Sequence, residues 1–137
     1  MAKASEAYVD TSALIAFLDR SDSHHELFTR LFANPPSLVT TVLVVVEGHA
    51  WFLRRYDRMR AMQFLKLIEA LPSLSIQSVG PTEQNAATIL LRKFSDQDLT
   101  LVDAVGLHLM HRRRLASCWS TDFHLGLTGV PLVIHQS

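Results

Sequence analysis

Cysteine occurs once in the 137 residues, at Cys118, so the chain has no internal disulfide framework and no multi-thiolate zinc site. Cys118 reads as the core of a strand. Long hydrophobic runs are missing too. The longest uninterrupted one, Ala13 to Leu18, stops at Asp19, far short of the roughly 18 residues of a membrane-crossing helix. Asp10 breaks the N-terminal apolar stretch before a signal-peptide core of about 7 to 15 residues forms, so the expected location is the cytoplasm. Net charge is absent as well: 13 basic residues balance 13 acidic ones, and composition alone gives no reason to expect phosphate affinity. Repeats, low-complexity tracts and linkers are not evident.

Apolar residues make up 48% and charged ones 19%, enough buried surface to exclude disorder over most of the chain. The length suits one domain over residues 1–137, since two cores would each have fewer than about 70 residues. The charges that exist are segregated. Arg54, Arg55, Arg58 and Arg60 form one basic cluster and Arg112-Arg113-Arg114 another, while several acids lie inside otherwise apolar segments.

Ala7-Tyr8-Val9 reads as a short strand ending at Asp10, and the spacing of Ala13, Leu14, Ala16, Phe17 and Leu18 as a helix, with Thr11 or Ser12 as its cap. A second helix is expected from His24 to Ala33, stopped by Asn34-Pro35-Pro36, followed by a strand at Leu38 to Thr41. Val42 to Tyr56 fits either a buried strand or a helix by its β-branched run; its length and the continuation to Arg54 favour helix. Arg58 to Leu71 is helical by pattern. Ser73 to Gln77 alternates as a strand, with Leu74 and Ile76 on one face. Pro81 opens a helix over Thr82 to Phe94, with Ala86, Ile89, Leu90 and Phe94 apolar. Ser95 to Asp98 is a loop, Leu101 to Arg114 a helix, Ala116 to Trp119 a buried strand and Val130 to Ile134 a last strand. The alternation predicts an α/β single-domain three-layer sandwich around a mostly parallel sheet, with helices on both faces.

In open parallel α/β sheets, sites form outside the carboxyl ends of the strands. Asp10 and Asp122 follow two such strands. Glu47 and Asp103 sit in the apolar helical segments Val-Val-Val-Glu-Gly and Leu-Val-Asp-Ala-Val, where a lone buried carboxylate is costly. Four convergent carboxylates raise one another's pKa values unless a cation neutralises them, and oxygen donors suit Mg2+ or Mn2+. A water held by such an ion is a nucleophile for a phosphodiester.

Asp10-Thr11-Ser12 behind a short strand, Glu47 in an apolar helix after Thr40-Thr41, the segment Asp98 to Ala104, and Ser120-Thr121-Asp122-Phe123-His124 resemble, in order and spacing, the four acidic motifs of PIN-domain ribonucleases. The resemblance covers essentially the whole chain, and its compact length is similar to that of the VapC-like toxins of toxin–antitoxin pairs. It implies a PIN-like fold and a metal-dependent endoribonuclease, with Asp10, Glu47, Asp103 and Asp122 as catalytic, Mg2+- or Mn2+-binding residues. It also implies RNA as substrate, a homodimer and a cognate antitoxin protein as partners. Asp98 matches an additional acidic position of some members. Ser12, and Ser120 or Thr121, match hydroxyl positions that orient carboxylates or waters. Phe123-His124-Leu125 departs from the pattern, in which a more polar residue and then an aromatic are common.

Other readings of these residues stand beside it. Asp10 and Asp122, taken singly, are also what a helix cap looks like. Trp51 and Arg54 share a helix face with Glu47, flanking a substrate groove or, equally, belonging to the core or a dimer interface. Arg54, Arg55, Arg112 and Arg113 are candidate phosphate contacts or ordinary solvated helix ends. His108 and His111 have i, i+3 spacing but no accompanying HExxH motif, and His24 and His25 read as surface residues. A receiver-like signalling domain would need a lysine near the end of its last strand, and only Lys3, Lys66 and Lys93 exist. A haloacid-dehalogenase-type phosphatase would need an aspartate at position 12, which is Ser12. A catalytically inactive PIN-like binding module would not need all four acids.

Overall fold

A computed structural model describes residues 6–136; Lys3 and the outermost ends of the expected domain lie outside the described residues. The strands are β1 (Ala7–Val9), β2 (Leu38–Thr41), β3 (Leu74–Gln77) and β4 (Ser117–Trp119). The α-helices are α1 (Thr11–Leu18), α2 (His25–Ala33), α3 (Val42–Arg55), α4 (Arg58–Ala70), α5 (Pro81–Lys93) and α6 (Leu101–Arg113). The strands form one sheet in the order β3-β2-β1-β4, every pair parallel.

Register shows how the sheet is covered. Tyr8 pairs with Cys118 and Val9 with Trp119, so each pair shares a face, and the two pairs lie on opposite faces. On one face the Tyr8 ring lies against Gly106 of α6, where an added Cβ would stand 2.8 Å from the phenol oxygen. On the other, Trp119 packs edge-on to Phe32 at 4.9 Å and tilted against Phe28 at 6.3 Å, both from α2. Helices therefore cover both faces, and a sheet shielded on both sides explains why β1, β2 and Cys118 are buried throughout.

The β-branched run at 42–46 is helical, as its length suggested. It begins without a break after β2, because Thr41 leaves the extended conformation directly into α3. Gly48 is required there. The Phe64 ring of α4 presses on it so closely that an added Cβ would lie 2.2 Å from Cζ.

Several expectations give way. Neither Thr11 nor Ser12 caps α1: the residue at the cap position is Asp10, whose side chain makes no capping bond, because both hydroxyls are used elsewhere. The strand expected at 130–134 is absent. Leu132 makes a single parallel bridge to Cys118 and Val133–His135 turns into a 3-10 helix; Pro131 has no N–H with which to extend a ladder, though its carbonyl accepts from the Cys118 amide at 2.9 Å. Ile76 is exposed because β3 is an edge strand. On α5 the buried residue is Ala87, while Ile89 is 63% exposed.

Candidate active site

The chain steps from β1 to β2 to β3 on one side and then returns to place β4 on the other side of β1. The carboxyl ends of β1 and β4 thus form the switch point at which open α/β sheets build their sites. Asp10 follows β1, its amide donating to the Trp119 carbonyl at 3.0 Å. Its carboxylate is buried.

A hydroxyl network holds that carboxylate. Ser12 Oγ and Ser120 Oγ each donate to Asp10 Oδ2 at 2.9 Å and stand 3.1 Å from one another. The same two oxygens accept backbone amides from the final loop, Thr121 N to Ser12 Oγ at 3.0 Å and Asp122 N to Ser120 Oγ at 2.9 Å. The network therefore fixes Asp10 and the loop carrying Asp122 in one step. Of the two hydroxyls expected before the last acid, Ser120 is the one engaged; Thr121 contributes its backbone.

Glu47 is reached through Thr11, whose hydroxyl donates to Glu47 Oε1. Asp103 belongs to the first turn of α6 in a reciprocal cap: Asp103 N donates to Thr100 Oγ1 at 3.1 Å, and Thr100 N to Asp103 Oδ2 at 3.2 Å. This is the capping box, with aspartate in place of glutamate. Asp122 accepts from the His124 amide at 3.0 Å and faces its imidazole, Nδ1 to Oδ1 at 2.9 Å, at the start of a 3-10 helix over Phe123–Gly126. The capping role suggested for Asp10 and Asp122 is thus present at Asp122 and absent at Asp10, while the cap at Asp103 was not foreseen from the sequence.

Electrostatics ties the four together. Burial pushes the Asp10 carboxyl up to about 6; the Ser12 and Ser120 hydrogen bonds oppose this, and the negative charges of Asp103 and Glu47 add to it. Asp103 is raised as well, by burial first, against the Thr100 hydrogen bonds and with a contribution from Asp122. Among the described residues, none of the four acids forms an ion pair with lysine or arginine. Asp103, Asp122 and His124 each offer a ligand atom, and these atoms lie within 4.8 Å of one another. Carboxylates unpaired with lysine or arginine, of which Asp10 and Asp103 are raised by burial first and by neighbouring negative charge second, are what a divalent cation would relieve, and the oxygen donors fit Mg2+ or Mn2+.

The remaining candidates are arranged unequally. Asp98 is exposed in the loop before α6. Trp51 is half-buried, edge-on to Phe52 at 4.9 Å and to Tyr56 at 6.2 Å, which ties much of its surface into an aromatic cluster. Arg54 and Arg55 are exposed near the end of α3, about 10 Å along the helix from Glu47, and Arg55 lies over the Tyr56 ring. Arg112 and Arg113 are at the opposite end of α6 from Asp103, about 14 Å away by helical rise. They pair with Glu83 at 3.5 Å and Glu6 at 3.3 Å, so the structure does not bring them to the acids. His124 entered the sequence reasoning only within the fourth motif and as part of its departure from the family pattern, not as a site residue. Its signal was its place two residues after Asp122.

A family model for the PIN domain matches residues 7–125. No curated protein matches the chain by sequence. Among solved structures, VapC20 of Mycobacterium tuberculosis, described as a sarcin–ricin-loop-cleaving toxin, is similar at TM-score 0.85 and 21% identity, over 93% of this chain and 98% of that one. A toxin–antitoxin complex from Klebsiella pneumoniae is similar at 0.60 and 20%, over 91% and 92%. PAE2754 of Pyrobaculum aerophilum is similar at 0.70 and 17%, over 97% and 92%. At these identities the likeness is one of fold.

Proposed function

The chain belongs to the PIN-domain family, and from that premise we propose that it is a metal-dependent endoribonuclease acting as the toxin of a toxin–antitoxin pair. The observation that carries the reading is the gathering of Asp10, Glu47, Asp103 and Asp122 at the β1/β4 switch point without a lysine or arginine counter-charge among the described residues. Membership in the family removes the receiver-domain and phosphatase readings. The VapC20 and Klebsiella structures support the toxin assignment by fold, and the latter supports a cognate antitoxin as partner.

Asp10, Glu47, Asp103 and Asp122 would hold the Mg2+ or Mn2+ ion. Such an ion supplies positive charge to the scissile phosphate and makes a water nucleophilic near neutral pH. The chain's own contribution is positioning. Ser12 and Ser120 orient Asp10 by donating to one oxygen, Thr11 orients Glu47, and Thr100 orients Asp103. Asp98 takes a supporting position at the rim. Trp51, Arg54, Arg55, Arg112 and Arg113 remain the proposed RNA contacts, with the α3 arginines the better placed.

The chain is proposed to act as a homodimer in the cytoplasm. Val42, Val46 and Leu53 form an exposed apolar stripe on α3, Val46 being 61% exposed, as an interface would require. No helix among the described residues is long and apolar enough to cross a membrane. Purified wild type and Asp10→Asn incubated with mixed RNA in Mg2+, Mn2+ or chelator test the reading. Cleavage leaving a 5′-phosphate is expected only for wild type with metal. Equal cleavage by Asp10→Asn or Asp103→Asn in a contaminant-free preparation would assign the activity elsewhere, and Glu47→Gln should also be inactive.

A further inference from the structure

His124 is held in an unusual setting for a residue of a short surface turn. Phe123 is 66% exposed, and its ring centroid lies 4.2 Å from that of the imidazole at an interplanar angle of 31°. The imidazole side chain is only 19% exposed. The Phe123 ring lies over the imidazole, and the ring edge faces Asp122, Nδ1 standing 2.9 Å from Oδ1. One imidazole nitrogen and one oxygen from each acid lie within 4.8 Å of one another, close enough to share a single ion after small rotations of half-buried side chains.

We propose that His124 is a nitrogen ligand of the divalent cation bound by Asp103 and Asp122, and that it shifts the site's preference from Mg2+ toward Mn2+ and later transition ions. The inference rests on the metal-site reading above and deepens it. Carboxylates and water are hard oxygen donors that suit Mg2+ and Mn2+ alike, whereas imidazole is favoured by transition ions. Mg2+ also gives up its waters reluctantly, so a nitrogen replacing one of them benefits Mn2+ more. To coordinate, the imidazole must be neutral, with its proton on the other nitrogen. The competing role is purely positional: Nδ1–H donating to Asp122 Oδ1 orients the carboxylate without any bond to the ion.

The test uses untagged full-length protein, so that no added histidines interfere. Mn2+ is titrated into metal-free wild type and His124→Gln while the electron paramagnetic resonance signal of free aqueous Mn2+ is followed, with Mg2+ as competitor; the bound ion is then probed by pulsed measurement for nitrogen-14 coupling. Wild type should bind Mn2+ with a clear nitrogen coupling. His124→Gln should lose that coupling and bind Mn2+ roughly tenfold or more weakly, with Mg2+ affinity changing much less. Bound Mn2+ without nitrogen coupling in wild type would overturn the inference and leave the metal site standing. So would coupling undiminished in His124→Gln, or equal losses for Mn2+ and Mg2+, which would reduce His124 to a positioning residue. If the wild-type signal stays that of free Mn2+ throughout, the metal-site reading falls, and the inference with it.

Discussion

Ser12 and Ser120, 108 positions apart in the chain, stand 3.1 Å apart oxygen to oxygen and donate to the same oxygen of Asp10. Removing one of them should therefore be felt as a displaced carboxylate. Ser120→Ala is expected to lower cleavage roughly 10- to 100-fold, the range for groups that orient metal ligands, and to destabilise the fold by about 1–3 kcal/mol through the unsatisfied buried acceptor and the freed Asp122 amide. Because the serine bonds hold the Asp10 pKa down against burial, their loss should also move the acidic limb of the pH–rate profile to higher pH. A profile identical to wild type would separate Ser120 from Asp10.

Asp10 makes stability depend on pH in a defined direction. Its carboxyl is raised from 3.8 to about 6 in the folded protein, so between those values the native state holds a proton that the unfolded chain has lost. Stability then falls as pH rises through that window and stays lower above it, by about 3 kcal/mol. Asp10→Asn keeps an oxygen for both serines and abolishes the charge. In chelator it should be more stable than wild type above pH 6, by up to about 3 kcal/mol, with the gap closing as pH falls toward 4. Urea unfolding across that range decides the matter, and a gap independent of pH would refute the assignment.

Metal should reverse the order. Mn2+ at a hundredfold excess over its dissociation constant stabilises the native state by about 2.7 kcal/mol, and Asp103→Asn or Asp122→Asn should gain less. In chelator both should be at least as stable as wild type, because asparagine still accepts from Thr100 N or His124 N while the repulsion is gone. A wild-type melting midpoint indifferent to Mn2+, with both variants destabilised in chelator, would make these acids structural caps alone.

The two arginine pairs should behave differently. Neutralising Arg54 with Arg55 should weaken RNA affinity and flatten its salt dependence, because both are exposed and the helix that carries them also carries Glu47. Neutralising Arg112 with Arg113 should do less to RNA binding; the loss of the exposed Arg112–Glu83 pair should cost no more than about 1 kcal/mol, and that of Arg113 more, because it leaves the buried Glu6 carboxylate without its partner. Filter binding over a salt series compares them. Equal effects would place the α6 terminus on the RNA path.

Gly48→Ala should destabilise the protein by about 1–3 kcal/mol, since the new methyl meets a fully buried Phe64 ring. Combining it with Phe64→Leu should recover part of the loss. Strict additivity of the two changes would mean that α3 and α4 separate freely.

Where the sequence was informative, local physics and tertiary context agreed. Ala7-Tyr8-Val9 is apolar because its strand is central and covered on both faces, and Pro35-Pro36 ends α2 whatever the surroundings. α3 was ambiguous because Val42 and Val46 lie on its uncovered side, so its hydrophobic residues do not trace one buried stripe. The residues around 130–134 misled because an apolar run bounded by turns looks alike as a strand and as a buried stub, and what separates the two is Pro131, which has no N–H for a ladder. The acids were legible by order and spacing. Their supports were not, since only the pairing of β1 with β4 shows that Ser12 meets Ser120, and only the packing of α1 on α3 shows that Thr11 serves Glu47.

That pairing also orders events during synthesis. Asp10 leaves the ribosome well before Ser120 and Asp122, which lie more than a hundred residues later in the chain, and domains fold as units as their chains emerge. A nascent chain can lay β2 and β3 beside β1 and still have an acid without its serine and a cluster without its final member. The site is completed only once β4 has emerged and paired with β1, so the carboxylate cluster is the last part of the sheet's carboxyl edge to assemble.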